Sequence, residues 1–143
     1  MSDISHFESR SGKVTCSAEE VYTFVTDIRN FHQFVPGGTI SNWQADRDSC
    51  SFTVSMIGTV SFRIEQKEMY SRVTYEGDAL KKNDFTLILD IIGSGNNPAE
   101  VKVLLHADLN PMLKMMAVKP IAQFLEILIG EMENFRGWTG IKE

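Results

Sequence analysis

Only two cysteines and four prolines occur among the 143 residues, and Lys and Arg number fourteen against nineteen Asp and Glu. No stretch approaches the ~18 consecutive apolar residues that a membrane-spanning helix needs. Each shortage excludes a class of protein. Cys16 and Cys50 are far apart and belong to no Cys-X-X-Cys or Cys/His series, which argues against a disulfide scaffold and fits reduced thiols. A single Cys16–Cys50 bridge is the one pairing left open. The formal charge of -5 repels phosphate backbones unless the basic residues cluster. The densest pair, Lys81-Lys82, falls in a turn near Asp78 and Asp84, so no nucleic-acid partner is expected. The first twenty residues lack an apolar leader core, which leads us to expect a cytoplasmic protein with no integral membrane contact.

The sequence is 43% hydrophobic and 23% charged, a globular composition. A chain of this length buries roughly 70% of its unfolded surface without help from disulfides or metals. The Gly/Pro-rich pieces, Pro36-Gly37-Gly38 and Gly93 to Pro98, are turn-sized, and no repeat is visible, so residues 1–143 read as one domain.

Ile4 to Val14 reads as a strand running into Ser17-Ala18-Glu19-Glu20, where Ser and Glu have capping-box spacing. Val21, Phe24, Val25 and Ile28 then recur at helical spacing, and Asn30 to Val35 form a second short helix closed by Pro36. From Thr39 to Leu109 the period changes to 2. Phe52, Val54 and Met56 alternate with Ser51, Thr53 and Ser55, and later segments repeat the pattern with short connections between them, which predicts about six successive antiparallel strands. After Asn110-Pro111 comes the longest element, an apolar-rich helix that Pro120 should kink or divide.

This order resembles the helix-grip fold of the START and birch-pollen-allergen superfamily (SRPBCC), which includes the polyketide cyclase/dehydrase and lipid-transport group. The resemblance covers nearly the whole chain. Its most specific stretches are Ser17 to Asp27, similar to the family's capped first helix, and Asn30 to Pro36, similar to its second helix and following proline. It implies an α+β domain: a curved antiparallel sheet of about seven strands, two short helices after the first strand, and a long C-terminal helix across the sheet. It also implies an apolar cavity able to take a hydrophobic or amphipathic small molecule, lipid-like in character, as the partner.

Strand parity places Phe52, Val54, Met56 and Phe62 on the face that looks at the long helix. Tyr75, Phe85, Leu87, Leu89, Val103 and Leu105 share that face. Phe34, Met116 and Phe124 meet it from the helices. Each of these side chains either fills a close-packed core or lines the implied cavity. The Tyr75 hydroxyl needs a partner, either a ligand oxygen or a neighbouring carbonyl. Glu8 and Arg10 form either an ion pair or a polar anchor at one end of the cavity, and His32 lies near its entrance.

Catalytic motifs are scarce. His6, His32 and His106 fall in three elements without metal-ligand spacing, and no nucleophile elbow, phosphate loop or dinucleotide fingerprint occurs. Cys16 precedes a helix start but has no identifiable histidine partner, so a small buried residue is the expected role. No metal or cofactor is expected. Three functions follow in order: binding or carriage of the apolar ligand, a cyclase or dehydratase acting on a polyketide-like substrate, and a protein-interaction module using exposed residues such as Trp43, Leu104 and Trp138.

Overall fold

The computed structural model describes residues 4–34, 40–54, 58–79, 83–93, 97–109 and 111–135. Met56, Lys81-Lys82, the centre of the Gly93–Pro98 loop and Trp138 lie outside them. The elements are β1 (Ile4–Glu8), β2 (Gly12–Lys13), α1 (Ala18–Val25), a 3-10 helix (Ile28–Phe34), β3 (Ile40–Ala45), β4 (Ser49–Val54), β5 (Gly58–Glu68), β6 (Arg72–Ala79), β7 (Asn83–Ile92), β8 (Glu100–Asp108) and α2 (Pro111–Asn134). All strand pairs are antiparallel, in the order β1-β8-β7-β6-β5-β4-β3, with β2 also on β8. This is the expected α+β helix-grip architecture.

Several boundaries differ from the sequence reading for local reasons. The first strand divides at Ser9, whose amide donates to the Val103 carbonyl at 2.8 Å while its hydroxyl accepts the Val103 amide at 2.9 Å. A side chain thus replaces a backbone acceptor, and one residue bulges between the two pairings on β8. The capping box forms as expected: the Glu20 amide donates to the Ser17 hydroxyl at 3.3 Å, and the Ser17 amide to the Glu20 carboxylate at 2.9 Å. Helix α1 nevertheless stops at Val25, capped by Thr26, and the next helix is a tight 3-10 turn. Helix α2 runs undivided through Pro120. Both Pro120 and Met116, whose carbonyl loses its helical donor there, are exposed, so water can satisfy the freed group.

The second half of α2 buries Leu125, Leu128, Ile129 and Met132, one stripe at helical spacing, against the sheet. Gly12 makes the close approach possible, because a Cβ there would stand 2.8 Å from Ile129 Cγ2. The Arg10 guanidinium donates to both Glu133 oxygens at 3.0 and 2.8 Å, and the Lys13 amide donates to the same carboxylate at 3.1 Å. These contacts hold the β1–β2 connection to α2. The hydrogen bonds from Arg10 hold the Glu133 carboxyl below its usual range. At the end of the helix the Phe135 ring packs on Phe24 and Phe34, with centroids 5.1 and 5.3 Å apart.

On the outer face, His6 of β1 stands directly opposite His106 of β8, ring centroids 4.4 Å apart. Partial burial, and then the neighbouring His6, hold the His106 imidazole below its ordinary value. Since the folded chain takes up this proton less readily than the unfolded one, the contribution is complete above an unfolded pKa of about 6.5 and is lost as pH falls below it. Thermal melts from pH 8 to pH 5 should therefore show a steeper fall for the wild type than for His106→Gln; parallel curves would count against the coupling.

Candidate functional site

The inner face of the sheet is closely packed at one end and less completely covered at the other. Sequential strands alternate direction, so Ile91 of β7, Val101 of β8 and Val73 of β6 lie at the end covered by α1, the 3-10 helix and the second half of α2. Here rings fill the interior. Phe31 sits 5.6 Å from Phe62, 5.5 Å from Tyr75 and 6.2 Å from Phe34, in each case edge to face. Tyr75 is fully buried, and its hydroxyl donates to the Val25 carbonyl at 2.9 Å. The partner is thus a backbone carbonyl left over at the end of α1, and burial pushes the phenol well above its ordinary value.

Towards the opposite end, cover diminishes strand by strand. On β7, Leu89 and Leu87 are buried but Phe85 only half so; on β4 the change falls between Phe52 and Val54, and on β5 between Phe62 and Val60, whereas on β8 Leu105 alone is half-buried between the buried Val103 and Ala107. Ile121 and Phe124 of α2 are also half-buried. The first half of the helix, which leaves β8 at this end, exposes Met112, Met115 and Met116 by 72%, 84% and 68%. A strip of half-buried apolar side chains therefore adjoins a stretch of helix whose described side chains pack little.

The candidate residues divide accordingly. Phe34, Tyr75, Leu87, Leu89 and Val103 lie in the filled half, Phe52 and Phe62 at the transition, and Val54, Phe85, Leu105 and Phe124 are half-buried, with Met116 on the exposed helix. Met56 is outside the described residues. Glu8 and Arg10 do not pair with one another: Glu8 accepts Lys102 Nζ at 2.6 Å, whereas Arg10 bonds Glu126 and Glu133. All three acids and both bases are at or near the surface, because each long side chain finds its partner on a different neighbouring element. His32 is exposed and stacks on Trp43, which stacks on Phe52, at centroid separations of 5.2 and 5.7 Å. Trp43 is thereby half-buried, as is Leu104, whereas the interaction-module reading expects both to be exposed.

Among the described residues, the only buried polar or charged ones are Ser5, Ser9 and Ser17. Cys16 and Cys50 are free thiols, and burial pushes each up to about 12, far from a reactive thiolate. No group of three or more potential metal ligands occurs among the described residues. Two open depressions lie elsewhere: one of about 490 Å³ at β3–β6, with Gln44, Asp46, Ser51, Ser61, Arg63 and Asp78 in its lining, and one of about 360 Å³ against Ala122, Gln123, Glu126 and Ile127 of α2. Ser5 and Gly77 escaped the sequence reading. The alternation of Ser5, Phe7 and Ser9 against His6 and Glu8 was the available signal for the former.

Comparison with solved structures places the fold. Truncated norcoclaurine synthase from Thalictrum flavum aligns with a TM-score of 0.67 at 9% identity over 93% of each chain. A START superfamily protein from Mycobacterium smegmatis aligns with a TM-score of 0.62 at 16% identity, covering 90% of this chain and 97% of that one. An uncharacterised protein from Bacillus thuringiensis gives 0.64 at 12% identity over 91% and 97%. No protein-family model matches the sequence, and no curated protein does. The chain has an SRPBCC-like helix-grip fold, shared with these structures. No helix among the described residues is long and apolar enough to cross a membrane.

Proposed function

We propose that the protein binds or carries a hydrophobic or amphipathic small molecule in the trough between the sheet and the first half of α2. The observation that carries this reading is the loss of cover along β4, β5 and β7, and at Leu105 of β8, over apolar side chains that remain inward-facing. Leaving such carbon surface half-wet costs about 25 cal/mol per Å², which a ligand burying it would recover. The adjoining methionines suit the role, since an unbranched thioether adapts to ligands of varied shape. A protein of the same fold, norcoclaurine synthase, has been solved with dopamine and hydroxybenzaldehyde, so this architecture accommodates small organic molecules.

Within this reading, Val54, Phe85, Leu105, Phe124 and Met116 contact the ligand, and Phe34, Phe52, Phe62, Tyr75, Leu87, Leu89 and Val103 form the floor and its support. Binding is favoured over catalysis because the described interior holds no charged side chain to move a proton and its one phenol already donates to Val25. The buried thiols and the net charge of -5 suit a cytoplasmic carrier without a nucleic-acid partner.

Native mass spectrometry of the purified protein after exposure to lipid and metabolite extracts provides the test. A retained small molecule is expected, displaced in a Leu105→Arg variant that places a charge in the trough. Protein that stays ligand-free in both extracts would remove the proposal.

A further inference from the structure

Helix α2 carries a second stripe that the fold does not use. Leu125, Leu128, Ile129 and Met132 mark the side packed on the sheet. On the side turned away from it, Met112, Met115, Lys119, Ala122 and Glu126 recur at alternating steps of three and four residues, the spacing of a seam between two helices, and all five are exposed.

The centre of this stripe is hollow. Ala122, Gln123, Glu126 and Ile127 surround an open depression of about 360 Å³ whose lining is almost entirely carbon. Glu126 Oε1 accepts Arg10 Nε at 3.3 Å in an exposed contact, while its other carboxylate oxygen has no partner among the described residues. Lys119, about one turn before the hollow, makes no ion pair or hydrogen bond among the described residues. An apolar hollow with a free carboxylate oxygen fits an alkyl chain ending in an ammonium, the shape of a lysine side chain.

We propose that this face docks a second copy of the chain, α2 against α2 in antiparallel sense about a two-fold axis beside Ala122. Lys119 of each copy then lays its stem in the other's hollow, and its ammonium meets the partner's Glu126. The direction follows from helix geometry. Side chains lean towards the N-terminus of their own helix, so in an antiparallel pair Lys119 and the partner's Glu126 lean towards one another. A parallel pair in register would set Lys119 against Lys119. Ala122, the small member of the seam, lies at the crossing and permits close approach of the two backbones. A two-fold contact is self-complementary, so the Lys–Glu pairing occurs twice. The same crossing lays Met112 and Met115 over the second half of the partner's helix and removes them from water. Since each copy carries a net charge of -5, long-range repulsion opposes the dimer, and the two Lys–Glu pairs set its register. The inference does not rest on the ligand-binding reading, which concerns the side of α2 that faces the sheet.

Sedimentation velocity over a concentration series, at pH 7 and low ionic strength, tests the charges directly. The wild type should form a concentration-dependent dimer. Lys119→Glu and Glu126→Lys each place like charges together at two points, and each should weaken self-association by about tenfold or more. Both positions are exposed, so circular dichroism should show unchanged folds. An equimolar mixture of the two variants re-forms both Lys–Glu pairs and should dimerise like the wild type, as should the double variant Lys119→Glu/Glu126→Lys. A wild type that stays monomeric throughout would overturn the proposal; if that monomer also cosediments with vesicles containing phosphatidylglycerol, the methionine face belongs to a lipid surface instead. A dimer indifferent to both reversals, or reversed variants that do not recover on mixing, would place the contact elsewhere and overturn it equally.

Discussion

Truncating Phe31 to alanine is expected to lower the free energy of unfolding by about 4 kcal/mol, the upper part of the range for a buried aromatic side chain. The ring is the meeting point of the 3-10 helix with β5 and β6. It touches Phe34 on its own helix and Phe62 and Tyr75 on the sheet, all edge to face. Removing it takes away buried carbon area and three aromatic contacts, each worth about 0.5–1.5 kcal/mol beyond area. The surrounding strands are too rigidly paired to collapse into the void. Urea unfolding should show the lower midpoint with an unchanged slope. Phe31→Leu, which keeps most of the volume, should cost about 1.5 kcal/mol. A loss below that figure for the alanine variant would mean that the closed end is loosely packed.

Gly77→Ala should be nearly as damaging although it adds one methyl group. A Cβ at this position would stand 2.0 Å from the Ser61 carbonyl oxygen and 2.6 and 2.7 Å from Cβ and Cα of Phe62. These are mainly backbone atoms of the paired strand, so relief requires β5 and β6 to separate where Phe62 faces Gly77. We expect a loss of about 3 kcal/mol or more, at the severe end for overpacking. Gly130→Ala in α2 is the matching control. Nothing lies within 4 Å of a Cβ there, and replacing a helical glycine should add up to about 1 kcal/mol. Equal effects at the two sites would contradict the close approach of β5 and β6. A gentler change, Tyr75→Phe, leaves the Val25 carbonyl without its buried donor and should cost about 1–2 kcal/mol in the same assay.

Much of the fold was legible in the chain because its signals are local. The change of hydrophobic period from 3.6 to 2 and back marked the helices and the sheet, and the Ser17/Glu20 spacing marked the start of α1. Alternation then assigned the face of nearly every strand residue, including the inward rings of Phe52, Phe62 and Tyr75. The misreadings came from non-local partners. Ser9 divides the first strand because its hydroxyl bonds Val103, ninety-four positions away. Glu8 and Arg10, two residues apart, go to Lys102 and to α2 respectively, since the partners that tertiary folding brings closer win over the sequence neighbour.

The candidate site was legible only as a list of apolar positions. Parity determines which way a side chain points, but whether something covers it depends on where the helices come to rest. The aromatic stack around Phe31 fills one end, whereas the described side chains of the first half of α2 are exposed and several inner-face residues near it stay half-buried. The sequence by itself determined the architecture and the sidedness of the sheet, both consequences of short-range geometry and hydrophobic period. Only the tertiary structure decided which apolar residues are fully buried and which stay half-exposed, because cover and close approach exist only between segments distant in the chain.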